Sequence, residues 1–575
     1  LLVAAGFSCG GGQTRIDTAF STDWQDDHGA GARVVQSKVS AIPIPAGTAV
    51  AVGVVDNGLV GVSLSGGSPW SYTHALESRP ALAGSVVVGS GGGEIFALDA
   101  ATGRPLWTKR GTGELRGIGD DGKTTVLSLG RSTDAGSLLL AIAHDGNVVR
   151  QLEAQPRVGI PAVVGSYAFF PWQSQYVTVY NLTTGTEEAR LLFREQVSRA
   201  FTHGGKLYFG ELGLFRFDER VSLASQHQAS HVVLPAITLP GDPTWFVSAS
   251  DARPLEADAR DKISLFGEPT PGASLALAAN TLIATYYRIV LGLDARAGTV
   301  TWTRNLAADA IAGDPFPRGI ALCDADGNVT LLGLANGAKL ASVSFGKKIK
   351  TCVVQADSFS SAAGTTEEVR PPLADQIAEA VDLGEADLLA VHRVLLRTLG
   401  KLEDSKATKV LIDWASDPRT APPLLADTDP VLSARRNGAP YMLEALGRHY
   451  DFLHDVLRPP PVGPLSDALA GIKETRAAPL LVSHLFDPAD TASSIRRAAA
   501  ALEVVGSAAE LPKLRTFFAL YRTTAEDDQI AQAVTSVAKT LVTLGTADDK
   551  AMVARAAEDP LTVAFIKTQL EELAK

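Results

Sequence analysis

One turn recurs through the first two thirds of the chain and restricts the fold more than any other feature. Residues 97–107 and 292–302 share one pattern: Leu98-Asp99 and Leu293-Asp294 at a strand end, a turn glycine at Gly103 and Gly298, and a returning strand carrying Trp107 and Trp302. Degenerate copies lie at 62–70, 180–185 and 333–337. With Gly146 added, the turn glycines fall at 66, 103, 146, 185, 298 and 337, in steps of 37, 43, 39, 113 and 39. The long step is close to three of about 38, so two eroded copies fill it, around Asp218 and Asp251. Eight units of roughly 40 residues each have room for four short strands.

The local signals agree with that reading. Short β-type runs, such as those at 85–88, 138–142 and 176–180, alternate with the pairs Asn57-Gly58, Asp121-Gly122, Asp145-Gly146, Asp326-Gly327 and Asn336-Gly337. An Asx-Gly pair supplies the backbone angles of a tight hairpin, so the segment is a meander of antiparallel strands. A lone four-stranded sheet leaves both faces bare, whereas radial stacking into a ring covers them. An open solenoid of the same units would need capping ends, which the sequence does not offer.

The copies at 97–107 and 292–302 resemble the PQQ-like repeat: strand, turn Asp, Thr-Gly, then a strand entering with Trp, with Ala297 standing for Thr in the second copy. The resemblance implies an eight-bladed PQQ-like β-propeller over 39–357. It also implies that Trp107, Trp302 and Trp70 pack in the grooves between neighbouring blades.

Past a polar linker, 358–370, the period becomes helical. Eight of the 53 glycines lie beyond residue 370 and six of the seven tryptophans lie before it. Ile530, Val534, Val537, Leu541 and Leu544 repeat at helical spacing, as do Leu388, Val391, Leu395 and Leu399, and Leu511, Leu514, Phe518 and Tyr521. Residues 487–514 resemble a HEAT repeat and 469–485 look like a second copy, so 371–575 is expected to be a HEAT-like α-helical repeat domain with a surface for gripping another protein. A compact helical bundle is the alternative.

The start of the chain carries a different signal. Residues 1–8 are an apolar run closing on small residues before Cys9, which precedes three glycines. This resembles the end of a bacterial lipoprotein signal peptide, implying lipidation at Cys9, with 10–38 as an N-terminal linker. The absence of Asp after Cys9 resembles retention at the outer membrane, so the expected location is the outer membrane, lipid-anchored and facing the periplasm.

Chemistry is hard to find. The formal charge of −11 and the lack of a Lys/Arg run longer than two argue against nucleic acid. Asp324 to Asn328 begins like a calcium loop but lacks the later bidentate Glu, and reads as a hairpin. His227 and His231 lie in strand and loop, and His449 and His454 sit on different helical faces. The glycines at 89–93 precede a strand rather than a helix, so no helix N-terminus serves an anion there. Cys323 and Cys352 either bond to each other or remain two buried thiols. Quinoprotein dehydrogenases share the propeller, but they resemble one another in a vicinal Cys pair that this chain lacks.

In function the chain resembles the BamB-type lipoproteins, propeller scaffolds of outer-membrane β-barrel assembly. It implies a non-catalytic scaffold with protein partners in that machinery, a membrane link through Cys9 and no cofactor. The alternatives are a PQQ-dependent quinoprotein dehydrogenase and a cell-surface or secretion-associated binding module. The helical half departs from that family, which ends with its propeller.

Overall fold

The computed structural model describes residues 18–20, 28–111, 113–131, 135–193, 197–210, 214–216, 281–294, 299–360, 368–384, 388–448 and 459–573. It divides into two compact units, Leu1–Arg370 and Pro371–Lys575. Cys9, Asp218, His227, His231, Asp251, Gly298, His449 and His454 lie outside the described residues.

Strands such as β1 (Val50–Val55) are apolar at every position rather than at alternate ones, which a strand buried on both faces requires. Such strands form seven described antiparallel sheets, five of four strands and two of three. Six follow the chain in order, and the remaining one joins its two ends. There β26 (Thr351–Gln355) pairs with β1, followed by β2 (Gly58–Ser63) and β3 (Trp70–Thr73), with Val50 opposite Gln355 and Val52 opposite Val353. The two faces of this composite sheet meet different neighbours. Val52, Val54 and Val353 pack with Leu82, Val87 and Phe96 of the second sheet, while Ala51, Val62 and Cys352 pack with Ala321, Val329 and Leu331 of the last. A sheet sandwiched between the second and last members of its own series is how a ring closes.

The inner strands are β26, β4 (Ala81–Ala83), β8 (Gly113–Asp120), β12 (Ala162–Val164), β16 (Arg199–His203) and β22 (Ala310–Phe316), each against the next from β26 to β16, with β22 against β26. The sheet of β16 is the described part of the unit expected around Asp218, whereas the one expected around Asp251 falls outside the described residues.

The sheets begin at Val50 rather than at Val39. Residues 28–40 form helix α1 (His28–Ser40), whose Val35 and Val39 are buried with Ala189 and Leu191 of β15 (Thr186–Leu192). Phe20 packs edge-on to Phe170 and Trp172, and the Ala19 carbonyl accepts from Thr178 Oγ1 at 2.8 Å. Much of what the sequence offers as a linker is therefore packed onto the sheets.

The second unit holds twelve described α-helices: α2 (Leu373–Ala380), α3 (Leu389–Lys401), α4 (Ser405–Ser416), α5 (Pro422–Ser433), α6 (Ala439–Leu446), α7 (Val462–Gly471), α8 (Ala478–His484), α9 (Ala492–Val505), α10 (Leu511–Tyr521), α11 (Asp528–Leu544), α12 (Ala547–Glu558) and α13 (Ala564–Leu573). The caps are legible. Thr491 accepts from Ser494 N–H at the start of α9, and Asp527 accepts from the Gln529 and Ile530 N–H groups at the start of α11. Val534, Val537 and Leu541 are fully buried on one face of α11, as are Val391, Leu395 and Leu399 on α3. Among the described residues, the extended helix packings join each helix to the next or the next but one.

Candidate functional site

The repeated turn builds a slot between sheets. Trp70 donates its indole N–H to the Ala100 carbonyl at 3.1 Å, and its ring covers Gly103, where a Cβ would lie 2.5 Å from the indole. Trp302 repeats this on the Leu334 carbonyl at 2.7 Å, over Gly337, where a Cβ would lie 2.4 Å away. These glycines are thus required twice, for positive φ (+72° and +67°) and for the absent Cβ. Trp107 is buried beside Gly146, but its indole Nε1 has no partner. In the next sheet the same strand position carries Arg150. Its guanidinium donates to the Leu182 and Thr183 carbonyls at 2.7 and 2.6 Å and lies over Gly185. An indole is absent at this position, so Arg150 escapes a pattern based on Trp, although its spacing of four from Gly146 matches that of Trp107 from Gly103.

A second polar feature lies where the inner strands turn. His203 ends β16, Asp314 lies on β22 and Asp357 follows β26. His203 Nε2–H donates to the Pro315 carbonyl at 2.9 Å, with Asp314 Oδ2 at 3.6 Å. Asp314 accepts from Ala356 N–H at 2.7 Å, and Asp357 Oδ2 accepts from the Gly204 and Gly47 N–H groups at 3.2 and 3.4 Å. Burial alone would lower the His203 pKa, but Asp314, with Asp357 behind it, outweighs that and raises it to about 9. Burial moves the Asp314 pKa upward against the pull of His203. The result is an imidazolium tying three strand ends together. Asp357 Oδ1 is buried without a partner.

The chain before β1 runs over these turns. Ile42 faces Gly165, Pro45 faces Gly122, the Ile44 carbonyl faces Gly205, and Thr48 N–H donates to the Gly84 carbonyl at 2.7 Å. Four successive inner turns therefore touch one strap. Between the second and third sheets, Asp120 is the staple: it accepts from Ser85 N–H, Thr125 Oγ1 and His144 Nε2 at 3.1, 2.9 and 2.7 Å. The bond to Asp120 raises the His144 pKa.

Cys323 and Cys352 are free thiols, fully buried in one apolar cluster, so of the two readings the structure holds the unbonded one. Burial pushes the Cys323 thiol up, with the adjacent Cys352 thiol adding to it, which keeps Cys323 protonated at neutral pH. Arg79, buried beside them, donates through Nε and Nη2 to the Cys352 carbonyl at 3.1 and 2.8 Å. Residues 324–328 form the expected hairpin, with Asp324 accepting from Asn328 N–H at 2.9 Å.

In the helical unit the polar groups bridge neighbours. Arg497 on α9 reaches Asp429 on α5 and Asp467 on α7 at 2.6 and 2.7 Å, and Arg515 on α10 reaches Asp549 on α12. Buried Arg435 donates to the Leu399, Gly400 and Leu402 carbonyls, closing the C-terminus of α3. Val504, Leu520, Leu561 and Phe565 are exposed apolar side chains of this unit. Among the described residues no helix is long and apolar enough to cross a membrane.

The sheets of the first unit form a β-propeller, and part of it matches a family model of PQQ-like repeats. The family described as "Outer membrane protein assembly factor BamB" matches residues 56–200. No curated protein matches the chain. Among solved structures, BamB from Moraxella catarrhalis is 16% identical, with a TM-score of 0.28, covering 51% of this chain and 84% of its own. The dihydro-heme d1 dehydrogenase NirN in complex with DHE is 12% identical, with a TM-score of 0.34, covering 54% and 75%. The computationally designed Ika8 protein is 11% identical, with a TM-score of 0.27, covering 54% and 92%. None of the three superposes closely enough to carry a functional argument.

Proposed function

We propose that the protein is a non-catalytic scaffold of the bacterial cell envelope, lipid-anchored through Cys9 at the periplasmic side of the outer membrane. Its propeller holds components of the β-barrel assembly machinery, and its HEAT-like helical unit holds a further protein. The observation that carries this reading is the match of residues 56–200 to the outer-membrane assembly factor family. Two features support a binding role. The mouth where the inner turns meet is spanned by the chain's own strap, and the ionisable groups beside it are engaged with backbone and with one another. The helical unit carries exposed apolar side chains, which suit contact with another protein.

The deciding experiment is an affinity pull-down of the full chain from solubilised outer membrane after in-cell crosslinking. Recovery of a barrel-assembly component is the expected result, and its absence from the crosslinked eluate overturns the assignment. Radioactive fatty-acid labelling that disappears in Cys9→Ala tests the anchor separately. Dye-linked dehydrogenase activity with added quinone and calcium would favour an enzyme.

A further inference from the structure

A convergent set of metal-ligating groups lies in the helical unit, at the bend between α8 and α9. His484 is the last residue of α8 and is 1% exposed. Asp487 and Asp490 follow it in the connecting loop and are half-buried. One ligand atom from each of the three lies within 4.8 Å of the other two. The loop is pre-shaped: Asp487 Oδ1 accepts from Ala489 N–H at 2.9 Å, and Asp490 N–H donates to the Asp487 carbonyl at 3.2 Å.

The far side of the imidazole is what distinguishes this cluster from a surface group of acids. His484 Nε2–H donates to the Leu446 carbonyl, at the end of α6, at 2.8 Å. A carbonyl only accepts, so Nε2 keeps its proton and the ring presents Nδ1 towards the carboxylates. Metal-binding histidines are generally fixed this way, one nitrogen on the ion and the other on a backbone carbonyl. In the structure Nδ1–H donates to Asp490 Oδ2 at 2.8 Å.

We propose that His484, Asp487 and Asp490 bind one divalent transition-metal ion of the zinc class, clamping the α8–α9 bend to α6. The ligand set is one imidazole nitrogen and two carboxylate oxygens, with solvent filling the open position. Tetrahedral zinc holds its ligand atoms about 3.3 Å apart, so the Nδ1 to Oδ2 separation opens by roughly half an ångström. The ion takes the place of the Nδ1 proton: one N–H bond breaks, one metal–nitrogen bond forms, and the proton leaves to solvent.

The test is calorimetric titration of the metal-free full-length protein with zinc chloride in two buffers of different ionisation enthalpy. One saturating site is expected, releasing about one proton per ion at neutral pH. Asp487→Asn removes one ligand but leaves the His484–Asp490 hydrogen bond. It is expected to weaken binding at least about tenfold while the metal-free melting temperature stays close to that of the parent. Asp490→Asn serves if that variant folds poorly. Anomalous diffraction at the zinc edge should place the ion between the three side chains. A chain with no saturable site, or an Asp487→Asn variant that binds and releases protons as the parent does, overturns the proposal.

Discussion

The propeller and the helical unit join their elements in different ways. In the propeller the first strand's partner is the last, Val50 opposite Gln355, and the sheet they share is covered on both faces by other sheets. In the helical unit the extended packings among the described residues reach no further than the next helix but one. A ring has no end from which to fray, so damage to one sheet is felt by all. An array of neighbours loses structure from whichever end is damaged. Long-range pairing also makes the propeller the slower unit to fold.

The largest expected effect tests that contrast. Val353→Asp places a carboxylate among Val52, Leu82 and Phe96 on the closing strand, at an expected cost of about 4–5 kcal/mol. Hydrogen exchange followed by mass spectrometry should show protection lost together across the described strands from β1 to β26. Ile566→Asp, equally buried in α13, should cost a similar amount locally, with protection lost in α12 and α13 and kept in α2 to α8. A helical unit that melts in one step in Ile566→Asp would break the comparison.

Next come the slots. Trp302 is 1% exposed and hydrogen-bonded, so Trp302→Ala is expected to cost about 3–5 kcal/mol. Half-buried Trp70 should cost less, and Arg150→Ala about 1–2 kcal/mol, the loss of its two carbonyl bonds. Urea melts of the three variants give the ranking. If Arg150→Ala proves the most damaging, the three positions are not equivalent slots.

How much of this was legible depended on whether a signal was local. The turn glycines announced themselves because an Asx-Gly hairpin needs no distant partner; Gly58, Gly122, Gly146, Gly327 and Gly337 all have positive φ. The apolar faces of α3 and α11 were readable for the same reason. The packed role of α1 was not, because Val35 and Val39 find their cover on a strand some 150 residues away. His203, Asp314 and Asp357 were equally silent, since nothing in their neighbouring residues says that three turns meet. The His484 cluster sits within seven residues, but its spacing matches no familiar ligand pattern until α8 ends at His484.

Two buried histidines, one in each unit, should also answer pH with opposite signs. The folded pKa of His203 is raised from 6.5 to about 9, so its contribution is complete below about pH 6.5 and is lost as the pH climbs through 9. His203→Gln should therefore destabilise the propeller at pH 6 by about 1–3 kcal/mol, and the gap should close by pH 10. In the helical unit burial holds His392 down at about 4, and its buried Nε2 lacks a partner. Between pH 6.5 and 4 the unfolded chain binds the proton more readily, so stability falls on acidification, and His392→Leu should remove that loss. Paired pH titrations of melting temperature would show whether the signs differ.

The smallest expected effect concerns salt. Arg497 is 14% exposed but its partners Asp429 and Asp467 are 43% and 44% exposed, so solvent screens much of the attraction. Arg497→Met should cost about 1 kcal/mol at low ionic strength. Most of that should vanish at 1 M salt, where the screening length falls to about 3 Å. Arg150 in the propeller faces carbonyls, so the cost of Arg150→Met should barely change over the same range. A salt-insensitive Arg497→Met would mean that the guanidinium serves chiefly through its bond to Ser433 Oγ and its packing between α5 and α9, with helices held by shape rather than charge.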